Sequence, residues 1–192
     1  MNINKNFLNF FIRNFLKSFL WLIIIVTIVI GLKKFNIFDF ENFLSPFYKK
    51  PLIIYLIFLI SEIFIGIIPP EFFMIWATHY KKFLIYISII LLLSTISYFA
   101  GIVGYWIGKY LNKTLFFRYL KRRFLIKLDK YLNEFGMFII ILSAMTPLPF
   151  SGTSMLIGSS NYSFKKYLIF SLSRYVRFII YSLFVWEATI NL

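Results

Sequence analysis

The stretch Met137–Ser160, MFIIILSAMTPLPFSGTSMLIGSS, decides how this chain folds. Its apolar beginning is interrupted by Pro147 and Pro149, and a small polar cluster follows before the sequence becomes apolar again. Proline ends a helix, so the first apolar arm has about 11 residues, far fewer than the ~20 that cross a bilayer. Irregular backbone at membrane depth is tolerated only where protein or a wet cavity shields it, and such broken segments form substrate sites in many transporters.

The composition predicts an integral membrane protein. Of the 192 residues, 60% are hydrophobic, and the mean hydropathy is +0.81, well above the range of a soluble domain. The net charge of +14 lies mostly outside the apolar runs. Its densest basic segment, residues 109–134, is cytoplasmic by the positive-inside rule. The richness in Asn, Ile, Lys and Phe suggests an AT-rich bacterial genome.

We therefore expect a protein of the bacterial cytoplasmic membrane, with its N-terminus inside and its C-terminus outside. Anionic lipid headgroups already explain a basic loop next to a membrane. The expected partners are thus membrane lipids, anionic or phosphate-bearing, and not nucleic acid. A homo-oligomer is left open.

The chain divides into an N-terminal part, residues 1–50, and a membrane domain, residues 51–192. The N-terminal part is predicted to hold a basic amphipathic segment, an uncleaved anchor helix and an external loop. The membrane domain repeats one pattern twice, namely an apolar arm, a proline break, a second arm and a span. The predicted segments are a hairpin at 51–80, a span at 83–110, a basic cytoplasmic loop at 109–134, a second hairpin at 135–163 and a second span at 167–188.

One span separates the two repeated units, so their topologies are opposite. We expect an all-α polytopic membrane protein with two inverted re-entrant helical hairpins, each followed by a transmembrane helix, plus the N-terminal anchor helix. The breaks of these hairpins are Pro69 with Pro70 and Pro147 with Pro149. Ordinary proline-kinked spans are the alternative, because membrane helices tolerate proline.

Three stretches carry motifs in a distinctive order: Glu62–Glu71 (EIFIGIIPPE), Gly101–Lys109 (GIVGYWIGK) and Phe135–Ser163. Together they resemble the first hairpin, the small-residue span and the second hairpin of the DedA family, also called the VTT-domain or SNARE-associated Golgi protein group. The tetrapeptide Pro147–Phe150 is closest to the TVP38-like branch. The resemblance covers about residues 52–184. It implies a transporter that recycles polyprenyl phosphate or scrambles phospholipids, in some members with proton coupling.

The chain departs from this family at the arginines. Many members carry one arginine three residues before the proline of the second hairpin and another just after it, where this chain has Ala144 and Phe150. The following span usually has a small residue where this chain has Arg174. The family's arginines are therefore absent from the hairpin or have moved, and Arg174 and Arg177 are the candidates to replace them.

Four charged residues lie within apolar segments. Glu62 and Glu71 flank the first break, and because burial favours a neutral carboxylic acid, they are predicted to couple transport to protons. For Glu71 the alternative is that it caps the helix that follows. Arg174 and Arg177 share one helical face, and a guanidinium group binds phosphate oxygens in pairs, so they are predicted to bind phosphate. Snorkelling to the headgroups, or an ion pair with Glu62 or Glu71, is the alternative.

A small polar cluster follows the second break. Ser151, Gly152 and Thr153 stand at the start of the second arm, where free backbone N–H groups and hydroxyls can bind an anion. These residues are therefore predicted to bind the phosphate, and simple N-capping is the alternative. Three further small residues are predicted to allow close helix packing in the first span: Gly101, Gly104 and Gly108.

The sequence does not favour an enzyme. It has no cysteine, one histidine (His79) and no aspartate in the predicted spans, so a nucleophile with its base or a metal site would be hard to build. We expect no catalytic residue, no metal and no cofactor. The alternatives to a lipid transporter are a membrane-homeostasis or interaction protein that transports nothing, and a small-solute or ion transporter on the same plan.

Cysteine accessibility tests the two predicted hairpins. Single cysteines at Lys49 and Lys82 should react from one side of the membrane, and those at Glu134 and Lys165 from the other, because each hairpin returns to the side that it left. A reporter fused near Lys121 should behave as cytoplasmic. Reaction of the cysteines at Lys49 and Lys82 from opposite sides would instead support proline-kinked spans.

Overall fold

The computed structural model describes residues 50–64, 66, 68–114, 128–146, 149–160 and 162–190, together with positions 20, 24, 27 and 31. Regular secondary structure in these ranges is entirely helical. Most of the predicted N-terminal part (1–50) and most of the predicted basic loop (109–134) lie outside the described residues, and so does Pro147.

The described ranges contain seven α-helices and one short 3-10 turn, Thr78–Tyr80. The α-helices are α1 (Pro51–Ile63), α2 (Pro70–Ala77), α3 (Phe83–Leu111), α4 (Leu128–Met145), α5 (Phe150–Gly158), α6 (Phe164–Ser171) and α7 (Ser173–Ile190). We call α1 and α2 the first broken segment, and α4 and α5 the second.

Among the described residues, two helical runs are long and apolar enough to cross a membrane. Helix α3 has 29 residues, and its 18-residue apolar stretch has a mean hydropathy of 2.2. The run Phe164–Thr189, which comprises α6 and most of α7, has 26 residues, and its 18-residue apolar stretch has a mean hydropathy of 1.5. The predicted span at 83–110 is therefore confirmed as a helix. The predicted span at 167–188 starts earlier than expected and is interrupted at Leu172.

Serine hydroxyls explain the interruption at Leu172. Ser171 Oγ donates to the carbonyl of Leu168 at 2.9 Å, and Ser173 Oγ donates to the carbonyl of Phe170 at 2.7 Å. Such hydroxyls compete with the backbone for helix carbonyls and often bend a helix. Two of these serines flank Leu172, where α6 ends and α7 begins.

The first break is closed by hydrogen bonds of one serine. Proline can begin a helix but cannot continue one, and α2 accordingly starts at Pro70. Before it, Ser61 Oγ accepts a hydrogen bond from the N–H of Ile68 at 2.8 Å, and the carbonyl of Ser61 accepts one from Gly66 at 2.7 Å. Gly66 has a φ of 67°, a left-handed conformation that glycine adopts without strain. Glu71 lies in the first turn of α2, where an acid is favourable.

The second break separates α4 from α5. Helix α4 begins at Leu128, earlier than the predicted hairpin start at residue 135, and ends at Met145. Helix α5 begins at Phe150, and its N-cap is Pro149, with no side-chain cap. The suggested N-capping by Ser151 or Thr153 is therefore not observed. Two helices separated by a break are present at both proline-containing breaks. Re-entry of these segments into the membrane stays a prediction.

Helix α3 is the centre of the described structure and packs most extensively against α5. The contact is a seam of backbone on backbone. A Cβ added to Gly108 would lie 1.9 Å from the carbonyl oxygen of Met155, and one added to Gly158 would lie 1.9 Å from that of Tyr105. The close helix packing predicted for the glycines of this span is thus confirmed.

Tyrosine hydroxyls join α3 to the second half of the chain. Tyr86 Oη donates to the carbonyl of Ser182 at 2.8 Å, and Tyr105 Oη donates to the carbonyl of Tyr162 at 2.9 Å. Both tyrosine side chains are buried, so these bonds satisfy hydroxyls that water does not reach. The outer faces are apolar, as a lipid-facing surface requires. Their exposed side chains include Leu91, Leu92, Phe99, Val103 and Trp106 of α3, and Val176, Ile179, Leu183 and Phe184 of α7.

Replacing Gly108 by alanine should destabilise the protein, because the added methyl group meets the backbone of Met155, which cannot rotate away. Overpacking of this kind costs about 1–3 kcal/mol. Thermal unfolding in detergent should therefore show a lower midpoint. Gly31→Ala is the matched control, since a Cβ there meets nothing within 4 Å. Equal midpoints for the two variants would contradict a tight seam.

Candidate functional site

The four charged residues predicted from the sequence are all buried. Glu62 lies near the end of α1, Glu71 in the first turn of α2, and Arg174 and Arg177 in the first half of α7. None of them is more than 4% exposed. A buried charge is strongly unfavourable unless an opposite charge and hydrogen bonds compensate it, so the partners of these residues decide the nature of the site.

The first ion pair joins α1, α3 and α7. Arg174 Nη2 donates to Glu62 Oε2 at 2.5 Å, and Arg174 Nε donates to Ser97 Oγ. Ser97 Oγ in turn donates to the same Glu62 oxygen at 2.7 Å. The guanidinium carbon lies 4.4 Å from the centroid of the Phe150 ring, which brings in the start of α5. Four helices, including one from each broken segment, thus meet at one arginine.

The second ion pair joins the two proline breaks. Arg177 Nη2 donates to Glu71 Oε1 at 2.9 Å, and Arg177 Nη1 donates to the backbone carbonyl of Thr146 at 2.7 Å. Thr146 directly follows α4, and the last carbonyls of a helix lack partners within it, so a cation there is favourable. The ring of Tyr181 lies 5.0 Å from the guanidinium carbon.

These contacts answer one question that the sequence left open. Of the alternatives given for the two arginines, an ion pair with Glu62 or Glu71 is observed for both of them. Two carboxylates and two guanidinium groups cancel in formal charge, so the cluster can exist in a dry interior. Phosphate binding by the arginines and proton coupling by the carboxylates stay predictions.

Three buried polar atoms at or next to this cluster have no hydrogen-bond partner in the described part of the chain. They are Arg174 Nη1, Arg177 Nε and Ser151 Oγ. Leaving a buried donor unsatisfied costs about 1–3 kcal/mol, so natural proteins rarely keep three of them without a reason. Ser151 follows Phe150, the residue on which Arg174 stacks. The cluster therefore retains hydrogen-bond donors that are free to bind an anion.

The polar cluster after the second break is only partly available as an anion site. Ser151 is buried and its hydroxyl is unpartnered. Thr153 Oγ1 instead donates to the carbonyl of Pro149 at 3.2 Å. Gly152 and Thr153 are both partly exposed. Of the predicted hydroxyl ligands, Ser151 is the one that is buried and free to bond.

Sequence reasoning missed Ser97 and Thr146. Ser97 is fully buried in α3 and bonds both members of the first ion pair. Its only signal was a polar residue within an apolar span, which the nearby Ser94 shares. Thr146 contributes a backbone carbonyl, and backbone atoms carry no sequence signal. In the described ranges no three His, Asp or Glu side chains come together as metal ligands do.

Removing one partner of the second pair should destabilise the protein more than removing both. Arg177→Met leaves Glu71 buried without its countercharge, at a cost of about 3–5 kcal/mol. Adding Glu71→Gln removes that stranded charge and should restore part of the loss in thermal unfolding in detergent. Lys166→Met, at an exposed position of α6, is the control for losing a cation. A double variant no more stable than the single one would show that the pair is not energetically coupled.

Comparison with known proteins identifies the family of this chain. A family model of the VTT domain matches residues 68–187, which include Glu71, Ser97, Arg174 and Arg177, whereas Glu62 lies before the match. No curated protein and no solved structure matches the chain significantly. The likeness to the TVP38-like branch stays a prediction. Because the match covers more than half of the chain, the protein belongs to the VTT-domain family, the DedA/SNARE-associated group of membrane proteins.

Proposed function

We propose that this protein is a transporter that moves a phosphate-bearing lipid, a polyprenyl phosphate or a phospholipid, across the bilayer. The two buried ion pairs between the broken segments are the observation that carries the proposal. Intramembrane charges are costly and mark substrate or ion pathways in membrane proteins. The headgroup passes between two re-entrant hairpins while the lipid tails stay in the bilayer.

Anion exchange at an arginine is the chemical step that this cluster supports. A guanidinium group binds a carboxylate and a phosphate with the same paired geometry. A headgroup phosphate that displaces a glutamate leaves the charge of the arginine balanced. The displaced carboxylate then lies in a dry site without its countercharge, and taking up a proton removes that unfavourable charge. In this way a displaced glutamate couples headgroup binding to proton uptake.

The positions of the arginines support their role as replacements for those of the family. The guanidinium of Arg174 lies over Phe150, one of the positions where many members carry arginine. Arg177 reaches the carbonyl of Thr146, two residues after Ala144, the other such position. Two arginines on α7 therefore bring positive charge to the second break from outside it. Ser151, with its unpartnered hydroxyl, adds a neutral donor there.

The membrane setting of the proposal follows from family membership and from the two long apolar helices. We propose a bacterial cytoplasmic membrane, with the N-terminus inside and the C-terminus outside. Residues 109–134 then face the cytoplasm, where their basic side chains meet anionic headgroups.

A reconstituted lipid-translocation assay tests this function. Purified protein in phosphatidylcholine vesicles with a fluorescent phospholipid should move that lipid between leaflets. Arg177→Lys keeps the charge but removes the paired donors, and Glu71→Gln removes the carboxylate that the headgroup displaces. Each of these two substitutions should slow lipid movement by about tenfold or more, because each removes a charge-assisted hydrogen bond. Glu62→Gln should also slow it.

The pH profile separates a coupling carboxylate from a structural one. In Glu71→Gln the dependence of the rate on pH should flatten, because the carboxylate proposed to take up the proton is gone. Glu187→Gln is the control, because Glu187 is exposed on α7 and outside the cluster. Wild-type rates and an unchanged profile in the cluster variants would mean that the charges are structural. The interaction-protein alternative would then be the better explanation.

A further inference from the structure

The two ion pairs differ in one respect that bears on exchange. A serine hydroxyl bridges the Glu62–Arg174 pair, and no described residue bridges the Glu71–Arg177 pair. We infer that Ser97 is a positioning residue that holds Arg174 on Glu62, so that the Glu71–Arg177 pair is the one that opens to admit an anion. The identity of that anion rests on the proposed function. The unequal opening of the pairs is a property of the protein alone.

The first pair is held at three points. Glu62 Oε2 accepts hydrogen bonds from Arg174 Nη2 and from Ser97 Oγ, and Ser97 Oγ accepts one from Arg174 Nε. An anion that displaced Glu62 would have to break the bond from Ser97 as well as the ion pair. Ser97 is fully buried in α3, the helix that the glycine seam fixes against α5, so its hydroxyl cannot easily follow either partner.

The second pair depends on a single hydrogen bond between the charges. Glu71 Oε1 accepts from Arg177 Nη2 at 2.9 Å. The other contact of Arg177, from Nη1 to the carbonyl of Thr146, does not involve Glu71. When Glu71 leaves, this contact keeps the guanidinium in place. Arg177 is therefore already anchored in the position in which it would receive a new anion.

The free donors of the two arginines also indicate that the Glu71–Arg177 pair is the one that opens. Nε and Nη2 form one edge of a guanidinium group, and that edge matches two oxygens of a phosphate. In Arg177 the Nε is unpartnered, so displacing Glu71 alone frees the whole edge. In Arg174 the Nε is bound to Ser97, and the edge stays occupied. An anion on the free Nη1 of Arg174, with Glu62 still in place, would bring an unbalanced charge into a buried site.

Side-chain hydrogen exchange tests, without any ligand, which of the two ion pairs opens more readily. Arginine-selective 15N NMR in detergent, with signals assigned by Arg174→Lys and Arg177→Lys, should show the Nε–H of Arg174 exchanging about tenfold or more slowly than that of Arg177. Ser97→Ala should bring the two rates together, and Ser97→Thr, which keeps the hydroxyl, should preserve the difference. Ser94→Ala is the matched control, because that hydroxyl bonds only the carbonyl of Leu91 within α3.

Titration with inorganic phosphate tests where the anion binds. Arg177→Lys should weaken binding by about tenfold or more, and by more than Arg174→Lys does, because the donor edge that receives the anion belongs to Arg177. With Ser97→Ala the two lysine variants should become similar. A purely structural role of Ser97 would lower the unfolding midpoint without changing this difference between the arginines.

Two results would overturn the inference. One is equal exchange at the two Nε–H groups in the wild-type protein. The other is weakening of phosphate binding by Arg174→Lys as large as that by Arg177→Lys while Ser97 is present. If exchange is unequal but the vesicles show no lipid movement, the inference about Ser97 stands and the proposed transport function fails.

Discussion

Two pairs of opposite charges, buried among apolar helices, determine the arrangement of the described structure. An arginine or glutamate left alone there would cost several kcal/mol, so each must lie against its partner. Both carboxylates come from the first broken segment and both guanidinium groups from α7. Satisfying the charges therefore brings the first broken segment to the final helix, although the sequence between them contains the whole second segment.

The proline breaks are stable because other groups complete their hydrogen bonds. A break exposes backbone N–H and carbonyl groups that lipid cannot satisfy. At the first break Ser61 supplies the missing partners, and at the second Arg177 bonds the carbonyl of Thr146. The second break and the ion pairs are thus parts of one network. Helix α3 lies between the two broken segments, and its glycine seam with α5 gives Ser97 a fixed place in that network.

The sequence by itself determined the class of the protein and the position of its main features. Composition and hydropathy indicated a helical membrane protein, because a bilayer selects long apolar helices with few charges. The apolar run that begins at Phe83 predicted α3 to within one residue of its observed end at Leu111. Proline restricts its own backbone, so both breaks were visible locally. The four charges were also visible, since each stands out in an apolar segment.

Only the tertiary structure decided which charge pairs with which. Arg174 and Glu62 are 112 residues apart in the chain, and Arg177 and Glu71 are 106 apart, so no local pattern links them. The part played by Ser97 was equally hidden, because a buried serine that bonds its own helix and one that bonds an ion pair have the same sequence context. Pairing depends on which helices meet, and that is fixed by packing over the whole domain and not by any single segment.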